Sequence, residues 1–300
     1  MKSVTQHLGL VCITYSDEIR FKTLTRTRYL KLDLSERQKT LAALYKHNLR
    51  LLLRALEFCQ EHSLKLYRMS ANLFPLSDLE DDIGKALLYE MRNDLGQVGE
   101  LARNYGIRVV IHPEQFVVLN SERPDVVKNS IKMLENHALS LDFLGLEPSP
   151  WTAMNIHGGK GGRAQVLIDT IRRLAPSVKN RLTLENDERA YSAAEILEIC
   201  VQAGVPMIFD VHHHVVKEGL SSFEDSSIAE FARLARQTWQ PPDWQIVHLS
   251  NGREGLSDNK HSDKIHTFPS AFAEVSWIEV EAKAKEEAIF PLREKLRKLS

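Results

Sequence analysis

The stretch PMIFDVHHHVV, residues 206–216, runs an apolar segment into Asp210 and then into His212, His213 and His214. A carboxylate beside imidazoles can ligate a metal ion or shuttle a proton. Each ring can equally be a packed aromatic with one hydrogen bond. The stretch alone does not separate these uses, but the rest of the chain narrows them. Five other apolar runs end in the same residue types: IHPEQF at His112, NIHGGKGG at His157, LTLENDE at Glu185, VHLSNG at His248 and VEAK at Glu281. So many carboxylates and imidazoles cannot share a buried site without positive charge to compensate them. Nitrogen and oxygen donors without thiolate suit Zn²⁺, Mn²⁺ or Fe²⁺. The donors outnumber what one ion needs, so two or three divalent ions are expected. Such a cluster fits phosphodiester hydrolysis, in which ions activate water and hold charge on the phosphate oxygens.

These residues need a scaffold that brings strand ends together. Eight β-rich runs are visible: 7–14, 65–69, 107–112, 152–157, 181–185, 206–210, 245–249 and 277–281. Helical spacing fills most of the gaps. In ERQKTLAALYKHNLRLLLRALEFCQEH, Leu41, Leu44, Leu49, Leu52, Leu56 and Cys59 can form one buried side, and further helices start near Ile83, Arg123, Arg163, Ser192 and Phe223. Residues 250–276 are polar and read as a long loop. The closing stretch EAKAKEEAIFPLREKLRKL reads as a helix interrupted or bent at Pro291. Strands alternating with helices predict an α/β fold, a single-domain (β/α)8 TIM barrel, whose active site forms at the C-terminal ends of the strands.

The bulk composition agrees. The 300 residues are 43% hydrophobic and 26% charged, with a formal charge of −1. That is ordinary for a globular protein and excludes one that binds nucleic acid through its whole surface. Cys12, Cys59 and Cys200 form no C-x-x-C pair and read as small buried hydrophobes. The apolar run LGLVCIT is too short for a membrane span and lacks a signal-peptide layout, so a cytoplasmic protein with no membrane partner is expected. The glycine-rich HGGKGGR carries Lys160 and Arg163 but lacks the P-loop order, and reads equally as a flexible loop or a phosphate contact. The basic stretch 20–31, RFKTLTRTRYLK, interleaves cations with Phe21 and Tyr29, a pattern that suits a nucleic-acid backbone or a solvated face. His7, His47, His62 and His137 receive no function, and Trp239 and Trp244 read as packing.

YRMSANLFP, IHPEQFVVLNS, NIHGGKGG, LTLENDE, FDVHHH, VHLSNGREG followed by HSDKI, and VEAKAKEEAI resemble the UV damage endonuclease family in order and spacing, over nearly the whole chain. The resemblance implies a metal-dependent enzyme that nicks damaged double-stranded DNA immediately 5′ of a UV photoproduct, leaving a 3′-hydroxyl and a 5′-phosphate. It implies metal ligation by His112, His157, Glu185, Asp210, His213, His248, His261 and Glu281, with Glu185 central and Mn²⁺ the expected ion. Gln115 and Phe116 match the family's damage probe, which enters the duplex while the damaged pair is displaced. Lys160 and Arg163 are expected on DNA, and the protein is expected to act as a monomer. The chain departs from the family in three places. It has no histidine after LFP, where Asp78 is the nearest donor. Ile246 stands where some members carry a modified lysine. Leu10 and Thr14 stand where some have Tyr and Asn. The other readings are an abasic-site enzyme of the endonuclease IV type, a metal-dependent sugar isomerase or epimerase, and a binding protein that has lost catalysis.

Overall fold

The computed structural model describes residues 5–298. Eight parallel strands close into a barrel in sequence order. They are β1 His7–Val11, β2 Leu66–Met69, β3 Arg108–Ile111, β4 Met154–His157, β5 Leu182–Glu185, β6 Met207–Asp210, β7 Ile246–Leu249 and β8 Trp277–Val280. Each lies inside its predicted run. The first ends early because Cys12 turns the chain with φ 64°. The barrel closes where β1 pairs with β8, with His7 opposite Trp277 and Gly9 opposite Glu279. Among the described residues no helix is long and apolar enough to cross a membrane.

Helices follow each of the first six strands, directly after β6 and after loops elsewhere, and the last helix follows β8. The longest, Leu34–Glu61, starts at a capping box in which Asp33 and Glu36 satisfy each other's backbone N–H groups. It buries Leu41, Tyr45, Leu49, Leu52, Leu56 and Cys59, while Leu44 packs at the edge. The seventh crossover carries only a short 3₁₀ turn, Ser270–Phe272, as its polar composition foretold. The closing helix differs from expectation. It starts at Glu286 and continues through Pro291 to Arg297. Residues 281–285 instead form the loop that carries Glu281 over the barrel mouth. Leu299, the last residue of that expected helix, lies outside the described residues.

The pleat decides which side chains reach the barrel axis. Tyr67, Met69, Val109, Ile111, Met154, Ile156, Leu184, Phe209, Val247, Ile278 and Val280 point outward into the shell of helices. The alternate positions point inward and change character along the axis. Leu66, Val110, Ala153, Ile208 and Ile246 form a small apolar cluster with Trp239. Below them Arg108 is fully buried. Its guanidinium lies over Trp151 and Trp277 and donates to the carbonyls of Pro150, Trp151 and Trp244. This plug excludes water from one end, so the polar inward residues gather at the other. Trp239 donates its indole N–H to Met207 O, which makes it a packing residue.

Gly99 shows how closely the outer layer is set. A Cβ there would lie 1.7 Å from the carbonyl oxygen of Leu144, which is backbone and cannot swing aside. Gly99→Ala is expected to destabilise the fold by about 1–3 kcal/mol, an overpacking penalty. Urea denaturation of the variant measures this, and a midpoint equal to the parent's would refute it. Metal uptake by the folded variant is expected to match the parent's, since Gly99 lies outside the barrel mouth.

Candidate metal centre and active site

The inward residues at the C-terminal ends of the strands converge on one cavity of about 710 Å³. Glu185, at the end of β5, is its midpoint. One carboxylate oxygen, Oε1, lies 3.0 Å from His248 Nδ1 and 3.4 Å from His213 Nδ1. The other, Oε2, lies 3.3 Å from His112 Nε2 and accepts from Asn155 Nδ2. Asn155 is itself oriented by Thr183, whose hydroxyl donates to Asn155 Oδ1 at 3.1 Å. Burial alone would raise the Glu185 pKa. The surrounding imidazoles of His248 and His157 and the bonds from His112 outweigh that and hold the carboxyl well below its usual range.

Each histidine is aimed by its neighbours. His112 Nδ1 donates to Pro113 O at 2.8 Å, which turns Nε2 toward Glu185. The His157 ring lies 5.2 Å from the His112 ring and 5.7 Å from the His213 ring, and burial lowers its pKa, favouring the neutral form that can donate to a metal. The histidine run becomes a helix, Val211–Glu218, with Asp210 as its N-cap. Asp210 Oδ1 accepts from the backbone N–H of His213 at 2.7 Å. At a helical turn of about 100° per residue, consecutive side chains point in different directions. His212 therefore donates to Asp258 O, His214 bonds Ser227 Oγ, and His213 alone of the three faces Glu185. Burial would lower the pKa of His213. Asp210, Glu185 and Glu281 outweigh it and push the group up to about 9.

Three donor groups could each hold an ion: His112, His157 and Glu185; Glu185, Asp210 and His213; Asp210, His248 and Glu281. Donor atoms within each group lie within 4.8 Å of one another. His157 Nδ1, Asp210 Oδ2 and both ring nitrogens of His248 are buried without a partner in hydrogen-bond geometry. Buried polar atoms are nearly always paired, so this set fits a divalent ion better than a packed core. His261 belongs to none of the three groups. It sits on the β7–β8 loop with Nδ1 2.8 Å from Glu281 O, its ring 6.3 Å from that of His213, and lines the cavity. Asp78 also lies in none of them; it is near Tyr45. Strand β2 instead sends in Arg68, which pairs with Glu279 and Glu281. Neither Arg68 nor Glu279 stands out as a strand end. The two-residue alternation of Arg68 with Ser70, and of Glu279 with Glu281, is the signal that would have found them.

The loop after β3 borders the cavity. Gln115 and Phe116 are exposed on it, Phe116 by 66%, and the loop is anchored from behind by Glu114, which lies 3.1 Å from His137 Nε2. The latter contact gives His137 a structural use that its helical position did not announce. Lys160 is exposed at the tip of the glycine-rich loop. That loop is not slack: Asn120 donates to the carbonyls of Gly158 and Lys160 and accepts from Lys160 N. Arg163 is partly committed, with Nε donating to Asn120 O at 2.7 Å. In the basic stretch the cations Lys22, Arg26, Arg28 and Lys31 are exposed, but Tyr29 is fully buried and donates to Asp81. Tyr29 is therefore core and cannot stack on a base, while Phe21 is half-buried and packs against the core. Cys59 and Cys200 are buried as expected, whereas Cys12 is half-buried and lines the cavity. Leu10 and Ile246 are fully buried apolar residues, and Thr14 is buried with its hydroxyl accepting from Ile19 N.

The family model for UV-endonuclease UvdE matches residues 6–300. A UV DNA damage endonuclease of a Nostoc species is 52% identical over 292 residues, covering 97% of this chain and 91% of that protein. One from Deinococcus radiodurans is 50% identical over 287 residues, covering 95% and 94%. The crystal structure of SacUVDE superposes with a TM-score of 0.83 at 29% identity, over 98% of this chain and 99% of that one. Endonuclease IV from Thermus thermophilus, at a TM-score of 0.55 and 15% identity over 82% of this chain and 93% of that one, shares the barrel alone. With the cavity's imidazoles and carboxylates on a barrel of this kind, these likenesses place the chain in the UV-endonuclease UvdE family of endodeoxyribonucleases.

Proposed function

We propose that this chain nicks duplex DNA immediately 5′ of cyclobutane dimers and 6-4 photoproducts, leaving a 3′-hydroxyl and a 5′-phosphate, with two or three divalent ions in the cavity. The supporting observation is the placement of Glu185 among His112, His213 and His248, beside a loop that exposes Gln115 and Phe116. Mn²⁺ is the proposed ion, and Zn²⁺ or Fe²⁺ would suit the same donors. The residues that would hold the ions are His112, His157, Glu185, Asp210, His213, His248, His261 and Glu281. Bound there, divalent ions would make water acidic enough to attack phosphorus at neutral pH and would hold charge on the phosphate oxygens.

The chain's own residues do the rest. Glu185 has two oxygens aimed at different histidines and belongs to two of the donor groups, as Asp210 does, so it would help to hold more than one ion. Asn155 keeps that carboxylate from rotating. Phe116 offers a ring to stack where a base has left the helix, and Gln115 offers both a donor and an acceptor to the exposed partner strand. Lys160 and the exposed cations of 20–31 would meet backbone phosphates, giving binding that weakens with salt. The carboxylates and imidazoles of the cavity, which Lys283 and Lys285 also line, favour metal-assisted hydrolysis over a Schiff-base lyase step. A monomer, acting without a membrane partner, is sufficient for this reading.

Glu185→Gln is expected to keep the fold and lose nicking activity by several orders of magnitude. Chelation of the parent is expected to abolish activity and readdition of Mn²⁺ to restore it. Cleavage that persists in metal-depleted buffer would remove the mechanism. The double variant Gln115→Ala/Phe116→Ala is expected to retain its metal content and bind lesion DNA more weakly, by roughly 1–3 kcal/mol for each lost stacking contact. Parent-like nicking by that variant would show the probe assignment to be wrong. A 5′-labelled duplex with a single cyclobutane dimer is expected to yield one cut on the 5′ side, with an end that a polymerase extends directly. Cleavage confined to abasic duplexes would move the enzyme to the endonuclease IV type. Turnover of a sugar without any nicking would favour an isomerase.

A further inference from the structure

From the cavity wall inward runs a charged chain that the strand ends do not announce. Arg68 Nη1 is 2.9 Å from Glu279 Oε2 and also contacts Glu281 Oε1. Glu279 Oε2 lies in turn 3.0 Å from His248 Nε2. At the other edge of that ring, Nδ1 is 3.0 Å from Glu185 Oε1, 3.4 Å from Glu281 Oε1 and 3.9 Å from Asp210 Oδ2. Arg68, Glu279 and His248 are all buried.

The two edges of the ring are not equivalent. An ionised carboxylate has only lone pairs to offer, so a ring nitrogen this close must either carry a hydrogen or share a cation with it. Nδ1 faces three carboxylates, two of which join His248 in a group able to hold an ion. Nε2 faces a single carboxylate, and that one is already held by a guanidinium. We propose that Arg68 and Glu279 are positioning residues for the metal centre: Arg68 clamps Glu279 against Nε2, which fixes the His248 hydrogen on that edge and leaves Nδ1 as the donor to the ion. This rests on the metal-centre reading above. Arginine suits the task because its charge is permanent, so Glu279 stays ionised in a buried site without an ion of its own. The same guanidinium also contacts Glu281, just past the end of β8, and so offsets the repulsion between the two carboxylates.

The sign of one measurement separates positioning from simple charge. A cation beside a metal site repels the ion, so deleting a merely electrostatic Arg68 would tighten binding. Deleting a positioning Arg68 loosens it. The metal-depleted parent, Arg68→Met, Arg68→Lys and Glu279→Gln are titrated with Mn²⁺, free ion being read by electron paramagnetic resonance and folding by circular dichroism. Arg68→Met is expected to bind Mn²⁺ about 10- to 100-fold more weakly, the usual effect of losing a partner behind a metal ligand. Arg68→Lys is expected to recover part of the loss. Glu279→Gln, close to isosteric, is expected to shift in the same direction as Arg68→Met and carries the decision if that variant does not fold. Binding by Arg68→Met as tight as the parent's or tighter, or an unaltered Glu279→Gln, would overturn the proposal. A parent that takes up neither Mn²⁺ nor Zn²⁺ would instead defeat the metal-centre reading on which it stands.

Discussion

Four carboxylates, those of Glu185, Asp210, Glu279 and Glu281, converge at one end of the barrel, three of them fully buried and Glu281 nearly so. Removing a carboxylate from water costs several kcal/mol even after the protein relaxes. The fold tolerates four because each meets a cation or a donor: Arg68 at Glu279 and Glu281, imidazoles at Glu185, and the first turn of a helix at Asp210. Among the atoms still without partners, His157 Nδ1, Asp210 Oδ2 and His248 Nδ1 belong to the three donor groups at the barrel mouth. That shortfall suits divalent ions, which the proposed phosphodiester hydrolysis would use.

Keeping such a site in one place depends on the apolar and aromatic layers around it. The outward residues of every strand pack under helices, and the inward ones pass from Trp and buried Arg108, through a small aliphatic cluster, to the charged rim. The dry middle lowers the local dielectric, so each ion pair at the rim is stronger than it would be in water, and each unpaired group more costly.

The proposed recognition of DNA would use the opposite physics. Phe116 and Gln115 stand out in solvent on a loop held from behind by Glu114 and His137, and Lys160 caps a glycine-rich loop stapled by Asn120. The tips are exposed while their bases are bonded. A probe that must enter a duplex gains from this, because less order has to be imposed at the moment of binding. Exposure of Phe116 is costly for an isolated protein and useful for one whose partner supplies a ring to stack on.

Local regularities made much of this legible without coordinates. A two-residue strand period and a three-to-four-residue helix period are properties of the backbone, so eight strands, their helices, and the strand-end residues His112, His157, Glu185, Asp210, His248 and Glu281 could be read directly. The long polar loop before β8 was equally visible. Matters of mutual orientation were not. Only the helix beginning at Val211 singles out His213 on geometric grounds, because its two neighbours are turned away to Asp258 and Ser227. Only barrel closure, which sets β2 and β8 on either side of β1, brings Arg68 within reach of Glu279. Tyr29, which reads as a partner for nucleic acid, is core because Asp81, far along the chain, meets its hydroxyl. What the sequence by itself determined was the set of chemical groups and the strands that carry them. Which of those groups face one another was decided by the tertiary structure, since a pairing across the barrel depends on residues more than a hundred positions apart and leaves no periodic trace in either segment.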